Sequence, residues 1–194
     1  NTGLRLWRRP LSDQEVDSLV AVVGPLASDP AAGSAAHYVA VRGAIAALIV
    51  SPELVYRTEI GVPIEAGVVR LDNHEVVSRL AYFLWGTTPT PELLARAAGP
   101  ELSDGEVAAL VEEMLTDPRG VRQMHVFHEL WLRYTNLLVT DATLAADMRA
   151  ETDALVDRAL SAGGGGADWT QLFTSEETFV TPALAALSVA DGEP

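Results

Sequence analysis

A chain of 194 residues with 48% hydrophobic content holds enough apolar material for one core or two small ones, and is too hydrophobic to remain disordered. Its 27 acidic against 13 basic residues, a formal net charge of −14, disfavour nucleic acid and anionic membrane surfaces, which select basic faces, and leave a basic partner open. The lack of cysteine excludes disulfides, thiolate metal centres, iron–sulfur clusters and covalently attached c-type haem within these residues.

The opening NTGLRLWRRPL has no initiator Met and reads as an excised or processed piece of a longer protein. Pro10 disfavours helix at Arg9; Ser12 then opens a helix carrying Val16, Leu19, Val20 and Val23, which Gly24-Pro25 should break or kink. After the loop Ser28–Ser34, a second helix over Ala35–Val50 is apolar nearly all round, a pattern that predicts burial in a core. Its longest apolar run, Val39–Val50, contains Arg42 and Gly43 and falls short of a bilayer span, so no membrane insertion is expected. Ser51-Pro52 begins a turn or short helix. The stretch IGVPIEAGVVR lacks helical period and holds two Gly and a Pro. It predicts a linker over 61–70, or a small hairpin, between a small N-terminal helical module, 1–60, and a larger one, 71–194, truncated at its C-terminus.

The second module opens on LDNHEVVSRLAYFLW, Leu71–Trp85. Asp72 can cap a helix, Glu75 can reach back to close a capping box, and Leu71 and Val76 have the spacing of a hydrophobic staple. Val76, Leu80, Phe83 and Leu84 follow the helical apolar rule, and Val77, Ala81 and Trp85 widen that face. A helix over 72–85 covered on most sides is therefore expected, with Phe83 and Trp85 both enclosed and Gly86 and Pro89 ending it. The same start grammar appears in LSDQEV (Leu11–Val16) and LSDGEV (Leu102–Val107), at unequal intervals, so three good caps explain it better than a solenoid repeat. Further helices are expected over Pro91–Ala98, over Ser103–Leu115, from Pro118 to about Tyr134, and over about Asp141–Ser161. Gly163–Gly166 reads as a flexible loop and the tail as two short helical pieces. The fold class is all-α: an irregular bundle of about seven to nine helices around the buried central helix.

Several motifs occur in one order: Arg8-Arg9-Pro10-Leu11-Ser12, Ser51-Pro52-Glu53-Leu54-Val55-Tyr56-Arg57, Ser78-Arg79-Leu80-Ala81-Tyr82-Phe83-Leu84-Trp85, Pro91-Glu92-Leu93-Leu94, Leu102-Ser103, Leu115-Thr116-Asp117-Pro118-Arg119 and Trp131-Leu132. Together they resemble helical modules of unknown function in large exported bacterial proteins of the planctomycete cytochrome-c-associated type. Residues about 5–60 resemble the shorter module and about 70–190 the longer one. Leu130 departs from the Gln usual before Trp-Leu, and the Gly163–Gly166 loop is atypical. The resemblance implies flanking helical modules, export to the periplasm or cell surface, and often a haem-binding domain in the same parent protein; it implies no activity.

Candidate chemistry is sparse. His125 and His128 lie three apart with Glu129 beside them, a spacing that lets two imidazoles share a metal. Val121, Met124, His128 and Trp131 form an apolar stripe, however, which makes His128 a hydrogen-bonded core residue, and no metal is expected. Arg57 and Arg79 stand in the matched motifs, either as an anion-binding pair or, the favoured reading, as structural ties; Arg79 follows Glu75 by the spacing of a helical ion pair. Asp147, Glu151, Asp153 and Asp157 read as the wet face of a helix rather than acid–base carboxylates. Trp7, Trp85, Trp131 and Trp169 read as packing residues. No nucleophile elbow, phosphate loop, dinucleotide fingerprint or zinc-protease motif occurs, so the catalytic residues are unknown and no cofactor is expected within the chain.

The leading expectation is a non-catalytic scaffold or docking module. Its partners would be flanking modules or a neighbouring haem protein, and any haem would lie in a flanking domain or partner. One alternative is part of a redox or hydrolytic enzyme whose site other segments complete. Another is a glycan or small-ligand module with a tryptophan-lined cleft near residues 60–70.

Overall fold

The computed structural model describes residues 2–161 and 168–190; the expected Gly163–Gly166 loop and the last four residues lie outside them. Contacts divide the chain into two compact units, Asn1–Asp117 and Pro118–Pro194. The first holds α1 (Thr2–Trp7), α2 (Asp13–Ala27), a 3-10 segment (Pro30–Ala35), α3 (Ala36–Val50) and α4 (Pro52–Val55). A hairpin of β1 (Val62–Glu65) and β2 (Val68–Arg70) follows, then α5 (Asn73–Leu80), which continues as a π-helical turn (Ala81–Trp85), α6 (Pro91–Ala97) and α7 (Asp104–Thr116). The second holds α8 (Pro118–Leu132), α9 (Ala142–Ser161), α10 (Gln171–Thr174) and α11 (Pro182–Ala190).

The fold is predominantly α, as its periodicity predicts. The described residues form eleven α-helical segments rather than seven to nine, because α1 (6 residues) and α10 (4 residues) are too short to show a period. Ser12, Asp72 and Ser103 each accept from the third following amide while Glu15, Glu75 and Glu106 return the bond, so all three predicted starts are capping boxes. Helix α2 passes through Gly24-Pro25 to Ala27; a proline this near the helix end removes only a late hydrogen bond. Residues 62–70 form an antiparallel hairpin pairing Val62 with Arg70 and Pro63 with Val69, with a bulge between Pro63 and Glu65.

Val77, Ala81, Leu84 and Trp85 form the buried face of the central helix, packed on Leu93 and Ala97 of α6 and Leu110 and Met114 of α7. The Trp85 indole donates to Met114 O at 3.0 Å, which satisfies its one polar group in the core. Phe83 is 69% exposed, which corrects the expectation that both rings are enclosed. Apolar residues lie on both sides of this helix, and packing selects the Val77 side; Phe83, six residues on, lies about 240° round from it. Gly86, at φ 63, ends the π turn by donating to Ala81 O.

Helix α3 reverses its expectation most sharply. Only Ala40 and Leu48 are buried in it. By length and composition the stretch Gly33–Val50 is apolar enough to cross a membrane, yet 11% of it is buried. In the second unit His128, Tyr134, Val156 and Ala159 are buried, while Val121 and Trp131 of the predicted stripe are exposed at 45% and 50%.

Candidate docking surface

Three sequence motifs converge on Arg8. This residue ends α1 at φ 61 and is 5% exposed. Its Nη2 donates to Glu53 O at 2.6 Å and Tyr56 O at 2.9 Å, and its Nη1 to Leu54 O at 3.3 Å, so the guanidinium caps the carbonyl end of α4. Tyr82 of the central helix completes the enclosure, its ring centroid 5.7 Å from the guanidinium carbon. Beside it Glu59 accepts from Arg79 Nε at 3.0 Å and lies 3.2 Å from Arg57 Nε. The two motif arginines thus share one carboxylate. Arg79 does not take Glu75 in the expected helical pair, because Glu75 is occupied by the Ile60, Gly61 and Asp72 amides. The Glu59 carboxyl is held below the usual range by the Arg79 hydrogen bonds first. This cluster ties helix ends together and leaves no free pair of cations for a ligand.

In the second unit His125 and His128 diverge. His128 Nδ1 lies 2.8 Å from Met124 O, its own helix backbone. His125 faces α9, with Nε2 2.8 Å from Asp157 and Nδ1 3.5 Å from Asp153. Tyr134 donates to Asp153 at 2.6 Å, and burial, then that carboxylate, push its hydroxyl pKa up. Among the described residues no three His, Asp or Glu are placed to hold a metal. Asp153 and Asp157, read from sequence as a wet face, are partners of His125; nothing in their spacing along one helix signals a histidine on another.

Two hollows adjoin the hairpin. One, of about 540 Å³, is lined by Val62, Ile64, Leu71 and Ala97 with Arg70 and Glu101 at its edge, and no tryptophan lines it. The other, of about 280 Å³, has Trp7 in its wall with Arg8, Arg9 and Arg57. His74 borders both; its Nε2 is buried without a partner and burial lowers its pKa. The expected tryptophan-lined cleft is thus reduced to one indole. Trp7 and Trp85 are core residues, whereas Trp131 and Trp169 are surface rings at 50% and 61% exposure, joined edge-on through Phe173.

The largest departure from ordinary burial is on α3. Tyr38 is 72% exposed, Ile49 49% and Val50 77%, and Val39, Val41 and Ile45 are also exposed. On α2, Val16, Val20 and Val22 are exposed as well. Two packed helices, α2 and α3, thus carry large aliphatic side chains that the described residues leave exposed.

Residues 71–187, more than half of the chain, match the model described as PSD4, protein of unknown function (DUF1592). The chain belongs to this family. Residues 1–59 match a second model, PSD5, protein of unknown function (DUF1595). No curated protein and no solved structure matches the chain. The DUF1592 match contains the Val77–Trp85 core, and the DUF1595 match contains α1 to α4 with the exposed aliphatic face. Arg8, drawn from the DUF1595 side, bonds or stacks with residues of both. Sequence reasoning quotes Arg8 within its motif but assigns it no role; a doublet Arg-Arg before Pro does not reveal which arginine turns inward.

Proposed function

We propose that this chain is a non-catalytic docking module of a larger exported protein, held against flanking helical modules or a neighbouring haem protein. The observation that carries the reading is the bare aliphatic face of α3, with Tyr38, Ile45 and Ile49 in water. Fully burying an exposed Ile is worth about 1.5–3 kcal/mol, and since Ile45 and Ile49 are 40% and 49% exposed a docked partner would recover a part of that at each. Export and the association with cytochrome c rest on the resemblance of the motifs. An enzymatic reading has less support: Arg8, Arg79 and Tyr134 are committed to carbonyl or carboxylate partners within the fold, and His74 stands beside the two hollows without a second unpartnered group among the described residues.

The test is a double substitution, Ile45→Lys with Ile49→Lys, in the protein in its native assembly. Both positions face solvent in the isolated chain, so its melting temperature should move by no more than a degree or two. Co-elution with the assembly should be lost. Unaltered co-elution contradicts the proposal.

A further inference from the structure

The side of α3 that meets α2 is fixed by Gly43, where an added Cβ would lie 2.6 Å from Leu26 Cδ1 and 3.8 Å from Val23 Cγ1. Ile45 lies about 200° further round the helix, on the opposite side. With it run Tyr38, Val41 and Ile49, at steps of three, four and four residues, exposed at 72%, 42% and 49% against 40% for Ile45. An apolar repeat of about 3.7 residues keeps these side chains in one stripe along the helix, the kind of face that packs against another helix. Arg42 stands inside this seam, four residues after Tyr38. It makes no ion pair or hydrogen bond among the described residues. Arg9, Arg57, Arg70, Arg79, Arg96 and Arg158 each hold a glutamate, whereas Arg42 shares its unpaired state with Arg5, Arg122 and Arg133 and is the one of these four that lies on α3. A lone exposed cation in an aliphatic seam lacks a carboxylate that a partner would bring.

Two other occupants fit less well. A bilayer asks for a hydrocarbon span of ~30 Å; the apolar stretch Gly33–Val50 gives roughly 27 Å, but it would carry the charge of Arg42 at its middle, where an arginine is costly. A second copy crossing at the centre of the seam would set Arg42 against Arg42.

Resting on the docking reading above, we infer that the partner of α3 is an amphipathic α-helix whose apolar stripe packs along Tyr38, Val41, Ile45 and Ile49 and whose flank carries an Asp or Glu that pairs with Arg42.

The probes are two synthetic amphipathic helices of about three heptads, identical except for Glu or Lys at both flanks of the apolar stripe. Binding to the full chain is read by fluorescence anisotropy. The Glu peptide should bind roughly tenfold tighter than the Lys peptide, and Arg42→Glu should reverse that order while Arg42→Gln levels it. Circular dichroism confirms that each variant is folded. No binding of either peptide, or a preference that Arg42→Glu leaves unchanged, overturns the inference. So does a dimer in sedimentation equilibrium that Ile45→Lys dissolves, or binding to neutral phosphatidylcholine vesicles in place of the peptides. If the peptides fail while the Ile45→Lys and Ile49→Lys pair still abolishes co-elution, the docking reading stands and only the helical partner falls. If co-elution survives as well, both fall.

Discussion

Arg8 brings a full positive charge into the first unit with no carboxylate within ion-pair distance among the described residues; carbonyls of α4 and the Tyr82 ring surround it instead. Removing it leaves the Glu53 and Tyr56 carbonyls without the donor they now hold. Arg8→Ala should therefore cost about 3 kcal/mol in urea denaturation, and Arg8→Lys should recover less than half, since an ammonium cannot fork between two carbonyls. A loss under ~1 kcal/mol for Arg8→Ala contradicts this role. Glu15 makes a second residue-scale prediction. Hydrogen bonds from Arg9 bring its pKa from an ordinary 4.5 down to about 2, against an opposing effect of burial. Its ionised form is thus favoured by folding: the stabilisation is full above about 4.5 and is lost as pH falls towards about 2. Urea midpoints should drop across that window, and Glu15→Gln should flatten the drop without abolishing it, because Glu59 and Glu106 are shifted in the same direction.

The central helix shows how far periodicity reaches at the scale of an element. Its start was legible, since Asp72 and Glu75 are the only chemistry a capping box needs. Its buried side was not, because Phe83 continues the apolar pattern on the far side of the helix, and local pattern cannot rank it below Val77, Ala81 and Leu84. Which face is buried depends on where α6 and α7 return, and that is tertiary information. Met114, with no exposure, and Phe83, at 69%, should accordingly separate cleanly. Met114→Ala should cost about 2–5 kcal/mol and Phe83→Ala no more than ~0.5 kcal/mol by thermal or urea unfolding. Equal costs would mean that the helix is rotated from the orientation described. Helix α3 gives the converse lesson. Its all-round apolar sequence predicts burial, yet only Ala40 and Leu48 are buried, because local pattern carries no information on which neighbouring elements return to cover a helix. Of the candidate side chains, Arg57 and Arg79 were legible as ties but their shared Glu59 was not. His125 was legible as a polar residue, while Asp153, Asp157 and Tyr134 join it only through the packing of α8 on α9.

At the scale of the whole molecule, the acidic balance of −14 and the aliphatic α3 face are complementary features. Charge of one sign keeps free chains apart, and on the docking proposal the apolar face would supply contact once a partner is aligned. The motif positions agree with this division: the arginine ties of the first unit fasten α1, α4 and the central helix together, which leaves the outer side of α3 free of internal duties. Carbene footprinting of Tyr38, Ile45 and Ile49 tests the central claim most directly, comparing the isolated 194-residue chain with the same chain in its native assembly. The account predicts strong labelling in isolation and at least a roughly fivefold reduction at all three side chains in the assembly, with Phe83 available as an internal comparison. Equal labelling of α3 in the two samples would contradict it.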